Sequence, residues 1–220
     1  MERRIIRTSD GSRTIQIPGW QEQYHSLHGA LQESLHVFIA NGLARYASRP
    51  LRILEMGFGT GLNALLSLLE APRRGLQLEY TALEAYPVTR QEWQELDYGS
   101  LFDDPEAGNL FKSLHEAPWE APTPVTPSFT IQKLQANLLE FSACDAFDLV
   151  YFDAFGARVQ PELWTEKVFQ SMYEALSEGG CLVTYAAKGS VRRAMLASGF
   201  RVERLPGPPG KREMLRALKP

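Results

Sequence analysis

The chain has 220 residues, 44% of them hydrophobic and 22% charged, with 17 glycines and 14 prolines. That composition excludes disorder, collagen and coiled coil, and the length fits a single domain. The net charge of −3 excludes indiscriminate coating of nucleic acid, yet from Lys188 to Pro220 nine cations face two acids, a local +7, leaving −10 on the first 187 residues. No apolar run approaches the roughly 20 residues of a membrane span, and the start leads into no signal-peptide core. A soluble cytoplasmic protein is the expectation. Cys144 and Cys181 are far apart, with no CxxC and no His at ligand spacing. They read as buried small hydrophobes rather than a disulfide or zinc site.

The elements follow in chain order. Two β-rich runs flank Asp10-Gly11 and predict a hairpin over residues 4–18. Ala30, Leu31, Leu35, Phe38 and Ile39 recur at helical spacing and predict a capping helix ending near Gly42. From residue 51 strand and helix alternate: strand 51–55, helix 62–69, strand 78–83 and a polar helix after Pro87. Residues 97–127, with five prolines and little periodicity, read as an irregular insertion that shapes the substrate site. Strand 129–134, short helix 138–141, strand 147–152, helix 165–176, strand 181–185 and helix 190–198 follow. Two consecutive strands, 200–205 and 213–218, then close the sheet as an antiparallel hairpin. The expected architecture is a single α/β domain over 1–220: an N-terminal hairpin and helix (1–45) on a Rossmann-like core (50–220) with a seven-stranded, mostly parallel sheet.

The chemistry concentrates at strand ends. Glu55-Met56-Gly57-Phe58-Gly59-Thr60-Gly61 follows a strand and opens a helix, so the backbone can pass close to a ligand. It lacks the Lys-Ser/Thr of a phosphate-binding loop, and Leu62 stands where a dinucleotide fingerprint needs its third glycine. What remains, E-x-G-x-G-x-G, resembles the loop that class I S-adenosylmethionine methyltransferases carry after their first strand. Glu84 ends the second strand, where a carboxylate can accept ribose hydroxyls. Asn137 precedes the short helix, where its amide oxygen can take an adenine amine. Asp153 ends the fourth strand and is the candidate catalytic residue, although a turn aspartate has the same pattern. His25, His28 and His36 have no acid cluster beside them and read as locally bonded side chains, so no metal site is expected. Trp20, Trp93, Trp119 and Trp164 read as packing residues, with Trp164 near the site.

Three blocks make the resemblance specific. Tyr24, His25, Ser26, His28, Gly29, Glu33, Ser34, His36 and Phe38 form the first; Glu55 to Asn63 the second; Asp153-Ala154-Phe155-Gly156, with Pro161 and Trp164, the third. Together with the tail Pro206-Gly207-Pro208-Pro209-Gly210-Lys211-Arg212-Glu213-Met214, they resemble the MnmC-type tRNA wobble-uridine methyltransferases, especially stand-alone MnmD-like members. The resemblance implies S-adenosylmethionine as methyl donor and the amine of tRNA 5-aminomethyl-(2-thio)uridine at the wobble position as acceptor. It implies a cofactor site from Glu55, Gly57, Gly59, Gly61, Asn63, Glu84 and Asn137, closed by Tyr24, Ser26 and Glu33. Phe155, Arg158 and Trp164 would meet the substrate, and Lys188, Arg192, Arg193, Lys211 and Arg212 the tRNA phosphates. The flavin domain that follows in bifunctional relatives is not expected, so another enzyme would prepare the amine. Relatives often carry an acid at the Asn137 position and Pro-Ala-Lys where this chain has Gly156-Ala157-Arg158. Two rival readings remain: a small-molecule amine methyl- or aminopropyltransferase, and a noncatalytic RNA-binding module.

Overall fold

A computed structural model describes residues 2–220. Strands β1 (Arg4–Arg7), β2 (Arg13–Ile17) and β3 (Glu22–Gln23) form a small antiparallel sheet. Helix α1 (Ala30–Ser34) runs on into a π-helical stretch, Leu35–Ala40. The core follows as β4 (Pro50–Met56), α2 (Leu62–Glu70), β5 (Gln77–Leu83), α3 (Arg90–Leu96), α4 (Ala107–Glu116), β6 (Thr123–Thr126), β7 (Phe129–Leu134) and β8 (Phe147–Phe152). It ends with α5 (Glu166–Ala175), β9 (Leu176–Thr184), α6 (Gly189–Ala197), β10 (Arg201–Pro206) and β11 (Glu213–Leu218).

The large sheet has the order β10-β11-β9-β8-β4-β5-β7-β6. Five central strands are parallel, β11 runs antiparallel to β9, and β10 pairs back on β11. From β4 the chain moves outward through β5 and β7, then returns to β8 on the other side of β4. That reversal opens a crevice at the carboxyl ends of the central strands, where α/β sheets bind ligands.

Burial on both faces explains why these strands are almost continuously apolar. Leu51 and Ile53 of β4 join the layer under α2 and the N-terminal helix, whereas Leu54 and Met56 join the layer under α5 and α6. Strand pleat therefore aims Glu55, which shares the parity of Ile53, toward α2. Tyr151 of β8 lies in the same layer, so Asp153, two residues on, leaves its strand with that parity. At the start of α3, Thr89 and Glu92 form a reciprocal capping box, which fixes where the polar helix begins.

Several expectations need correction. The 97–127 stretch is not irregular throughout: it contains α4 and the edge strand β6, an eighth strand beyond the seven expected. Strand β9 begins at Leu176, not at 181, because its pairing with β8 shifts register after Phe147 and the chain passes Gly179 at φ +72° without leaving the ladder. The helix expected over 30–40 changes to π-helix after Ser34. Cys144 is exposed, on the turn leading to β8 where no apolar layer covers it, while Cys181 is buried in β9.

Leu54 is fully buried in the central strand. Leu54→Ala is expected to cost about 2–5 kcal/mol, read as a lowered urea midpoint; a loss below about 1 kcal/mol would contradict this account of the core.

Candidate active site

A cavity of about 710 Å³ opens at the carboxyl ends of β4, β5, β7 and β8, under a roof formed by residues 20–25. Its floor is the turn from β4 to α2. Gly57 adopts φ +97°, and a Cβ there would lie 3.0 Å from the carbonyl oxygen of Asp153. Gly59 adopts φ +51°, with the Tyr24 ring 3.1 Å from any added Cβ. Both positions therefore need glycine, for backbone conformation and for space. The Gly57 and Phe58 amides donate to the Leu83 carbonyl at 3.0 and 2.9 Å, and the Asp153 amide donates to Met56 at 3.1 Å. The floor is thus tied to the strands on both sides. Gly61 starts α2, which has neither a capping side chain nor an acid in its first turn, leaving its N-terminus able to receive a negative group.

Three side chains converge beside this loop. Asn63 Nδ2 donates to Glu55 Oε1 at 3.0 Å and to Asp153 Oδ2 at 2.8 Å. Glu55 is fully buried and its carboxyl is pushed well above the usual range, first by burial and then by the Asp153 charge. Asp153 is raised to about 7, chiefly by burial and next by Glu33. Glu55 Oε2 and Asn63 Oδ1 are buried without a hydrogen-bond partner. On the opposite wall, Glu84 accepts from the Gly59 amide and the Tyr86 amide, both at 2.8 Å, so its carboxylate is held rigid at the cavity edge.

Eight of the residues expected at the site line this cavity: Tyr24, Gly57, Gly59, Asn63, Glu84, Asn137, Asp153 and Phe155. Glu55 lies beneath it and reaches it through Asn63; Gly61 stands just outside. Phe155 packs edge-on against Tyr24 and Trp20, with centroids 4.9 and 5.5 Å away. The Asn137 oxygen already accepts from the Leu139 amide at 3.1 Å as the cap of the short helix.

The others border it without lining it or lie farther off. Glu33 is buried, accepts from the Ser26 amide at 2.8 Å and is ion-paired with Lys211. This pair ties the N-terminal block to the tail instead of closing the cavity, and Ser26 does not line it. Lys211 also sits 3.8 Å above the Tyr185 ring, so it is less free to meet a phosphate than its place in the tail suggests. Arg158 is held by Glu22 at 2.7 Å and by the Trp20 and Gln21 carbonyls, latching the loop after Asp153 to the roof. Trp164 is buried and donates to the Phe155 carbonyl at 2.8 Å, supporting that loop from below. Lys188 and Arg212, with Lys211, border an adjoining hollow of about 460 Å³; Arg192 and Arg193 line neither space.

Sequence reasoning missed Arg3, Glu22, Tyr86, Glu120, Gln160, Glu162 and Tyr185, all of which line the main cavity. Tyr185 directly follows β9, so the rule that ligands meet strand ends could have found it. Glu120 comes from the 97–127 stretch and accepts from the Gln135 amide at 2.8 Å, with no local signal to mark it. His115 and Trp119 of that stretch instead pack against the glycine loop. His115 stacks on Trp93 at 5.0 Å and donates from Nε2 to the Thr60 carbonyl at 3.1 Å, and burial holds its pKa down at about 3. His25 is likewise buried, bonded to Thr14 and lowered to about 4.

Comparison with known proteins bears on this geometry. Residues 123–220 match a family described as S-adenosyl-L-methionine-dependent methyltransferase. The tRNA 5-methylaminomethyl-2-thiouridine biosynthesis bifunctional proteins MnmC of Aromatoleum aromaticum and Cupriavidus metallidurans are 33% and 32% identical, over 97% and 95% of this chain. The crystal structure of MNMC2 from Aquifex aeolicus superposes with a TM-score of 0.74 at 26% identity, covering 98% of this chain and 70% of that one. The chain is thus similar to MnmC proteins over nearly its whole length and matches the S-adenosyl-L-methionine-dependent methyltransferase family over residues 123–220. It spans about a third of the length of the curated MnmC relatives it matches, 35% and 33% for these two. Spermidine synthase from Thermotoga maritima shares the fold, with a TM-score of 0.60 at 13% identity.

The residues fit the cofactor of this family. The methionine part of S-adenosylmethionine carries an ammonium and a carboxylate beside the sulfonium; the unpartnered Asn63 Oδ1 and Glu55 Oε2 suit the ammonium, and the uncapped start of α2 suits the carboxylate. The space above Gly57 and Gly59 would be filled by any side chain.

Native Asp153 keeps its proton up to about pH 7, whereas the unfolded chain releases it near the ordinary value of 3.8. The folded state therefore binds more protons between these values, and this residue's contribution to stability falls as pH rises through that window. Asp153→Asn is expected to gain stability over wild type from pH 5 to pH 8, read from urea midpoints; a difference that does not change with pH would contradict the assignment.

Proposed function

We propose that the protein methylates the exocyclic amine of 5-aminomethyl-(2-thio)uridine at the tRNA wobble position, forming the 5-methylaminomethyl nucleoside, in the cytoplasm. The observation that carries this reading is the similarity, over 97% of the chain, to proteins named for tRNA 5-methylaminomethyl-2-thiouridine biosynthesis. The acceptor-rich end of the cavity at Asp153 and the cationic surface beside it support the same reading.

S-adenosylmethionine, when bound, supplies a methyl group already activated by a sulfonium. The protein's task is then to align the attacking nitrogen, free its lone pair and exclude water. A primary alkylamine is largely protonated at neutral pH. Asp153, opening into the cavity, accepts the amine's hydrogen bonds and then its proton; a pKa near 7 matches that role, being basic enough to take the proton yet largely ionised above neutrality. Asn63 holds the Asp153 carboxylate in place through its amide and shares that contact with Glu55. Glu84 accepts the ribose hydroxyls, the glycine loop and the start of α2 carry the methionine end, and Asn137 faces the adenine. Tyr24, Trp20 and Phe155 form an apolar wall that keeps water from the reacting atoms.

The +7 segment from Lys188 onward supplies the electrostatic attraction for RNA, and an anticodon base splayed from its loop can reach the cavity. The amine itself comes from a separate enzyme activity. A small-molecule substrate would make no use of the cationic surface, and a noncatalytic module would have no need of the Glu55–Asn63–Asp153 arrangement.

Incubating the protein with tRNA bearing 5-aminomethyluridine, with and without S-adenosylmethionine, is expected to give the methylaminomethyl nucleoside only with the cofactor, by nucleoside mass spectrometry. Asp153→Ala is expected to lower turnover at least about 100-fold with cofactor affinity retained, and Gly59→Val to abolish cofactor binding. An unchanged nucleoside with the cofactor demonstrably bound would refute the reading, and equal loss of affinity in both variants would refute the division of roles.

A further inference from the structure

We propose that the hollow of about 460 Å³ bordered by Lys188, Lys211 and Arg212 seats the phosphodiester and ribose adjoining the methylated nucleoside. The inference rests on the RNA-methylation reading above and gives the substrate's backbone a specific place.

Continuity is the first argument. The hollow shares Gly156 and Tyr185 with the cofactor cavity, and Tyr185 Oη donates at 2.9 Å to the Ala154 carbonyl, one residue beyond Asp153. A nucleoside whose 5-substituent reaches Asp153 must pass its sugar and phosphates out of the cavity, and this shared wall opens onto the cationic side. Small residues, Ala157, Ala186 and Ala187, leave the space open.

Charge is the second. Lys188 and Arg212 are exposed, and among the described residues neither lies within ion-pair distance of a carboxylate; Lys211 is already balanced by Glu33. The one acid at the rim, Glu213, faces Arg204 at 3.8 Å. Helix α6 adds to the unbalanced charge, because it starts at Lys188 with no capping side chain and no acid in its first turn. Arg192 and Arg193 follow close behind, where a cation opposes the helix dipole. An anion seated against Lys188 and Arg212 would relieve that repulsion. The hollow thus offers room for a ribose and two free cations for one phosphate, whereas Arg193, on the same helix, lies outside it.

The test uses two substrates, an anticodon stem-loop RNA carrying 5-aminomethyluridine and the free nucleoside. In the Lys188→Ala/Arg212→Ala variant, the ratio of kcat/KM for the stem-loop to that for the nucleoside is expected to fall about tenfold or more. The slope of log affinity against log salt is expected to shrink by about one, with Arg193→Ala changing the ratio much less. Equal loss on both substrates, or an equal effect from Arg193→Ala, would overturn the proposal. Should wild type methylate neither substrate, the functional reading fails by itself, and fluorescence anisotropy of the labelled stem-loop still decides the site. Weaker binding by the double variant than by Arg193→Ala supports it; equal binding overturns it.

Discussion

One amide nitrogen joins the two halves of this site. Asn63, on the first turn of α2, donates both to Glu55 at the end of β4 and to Asp153 after β8. Burial raises both carboxyls, Glu55 further through the Asp153 charge and Asp153 further through the Glu33 charge. Glu55, with no exposure at all, is the one held neutral, and Asp153, facing the cavity, is the one left free to take a proton. The glycine turn and the Asp153 carboxylate are therefore joined as one unit through Asn63, and the turn cannot shift without moving the aspartate.

The rest of the molecule keeps that unit in register. From outside, α4 presents His115 to the Thr60 carbonyl, and Lys133 is buried beneath Phe58, donating to the His115 carbonyl at 2.7 Å. From above, Arg158 fastens the loop after Asp153 to the roof, and Arg3 donates to the Tyr86 and Pro87 carbonyls. The N-terminal block and the tail, far apart in the chain, clasp each other through Glu33 with Lys211 and His36 with the Pro206 carbonyl at 2.8 Å. These contacts hold the roof of the cavity and the cationic side of the molecule together.

The central strands were legible because burial on both faces leaves continuous apolar runs, and the glycine turn because only that backbone fits between Asp153 and Tyr24. Glu84 and Asp153 were legible from the rule that ligands meet strand ends. The same rule would have yielded Tyr185, whose residue type alone gives no signal. Side-chain partnerships were not legible: nothing local shows that Arg158 would be used by Glu22 and the roof, Lys211 by Glu33, or the Asn137 oxygen by a helix start. Proline-rich composition concealed α4 and β6, since the prolines fall at their borders and within an edge strand, where a missing amide is tolerated. Glycines 179 and 180 concealed the first half of β9 for a related reason, a bulge that bends the strand without ending it.

The central claim is that Asn63 couples the cofactor turn to the proton acceptor. Its most direct test is to measure S-adenosylmethionine affinity and the single-turnover methyl-transfer rate at saturating cofactor in Asn63→Leu. The account predicts that both fall, affinity by about tenfold and rate by about 100-fold or more. A variant that lost affinity but kept the wild-type rate, or kept affinity while losing the rate, would show that the turn and the aspartate act separately.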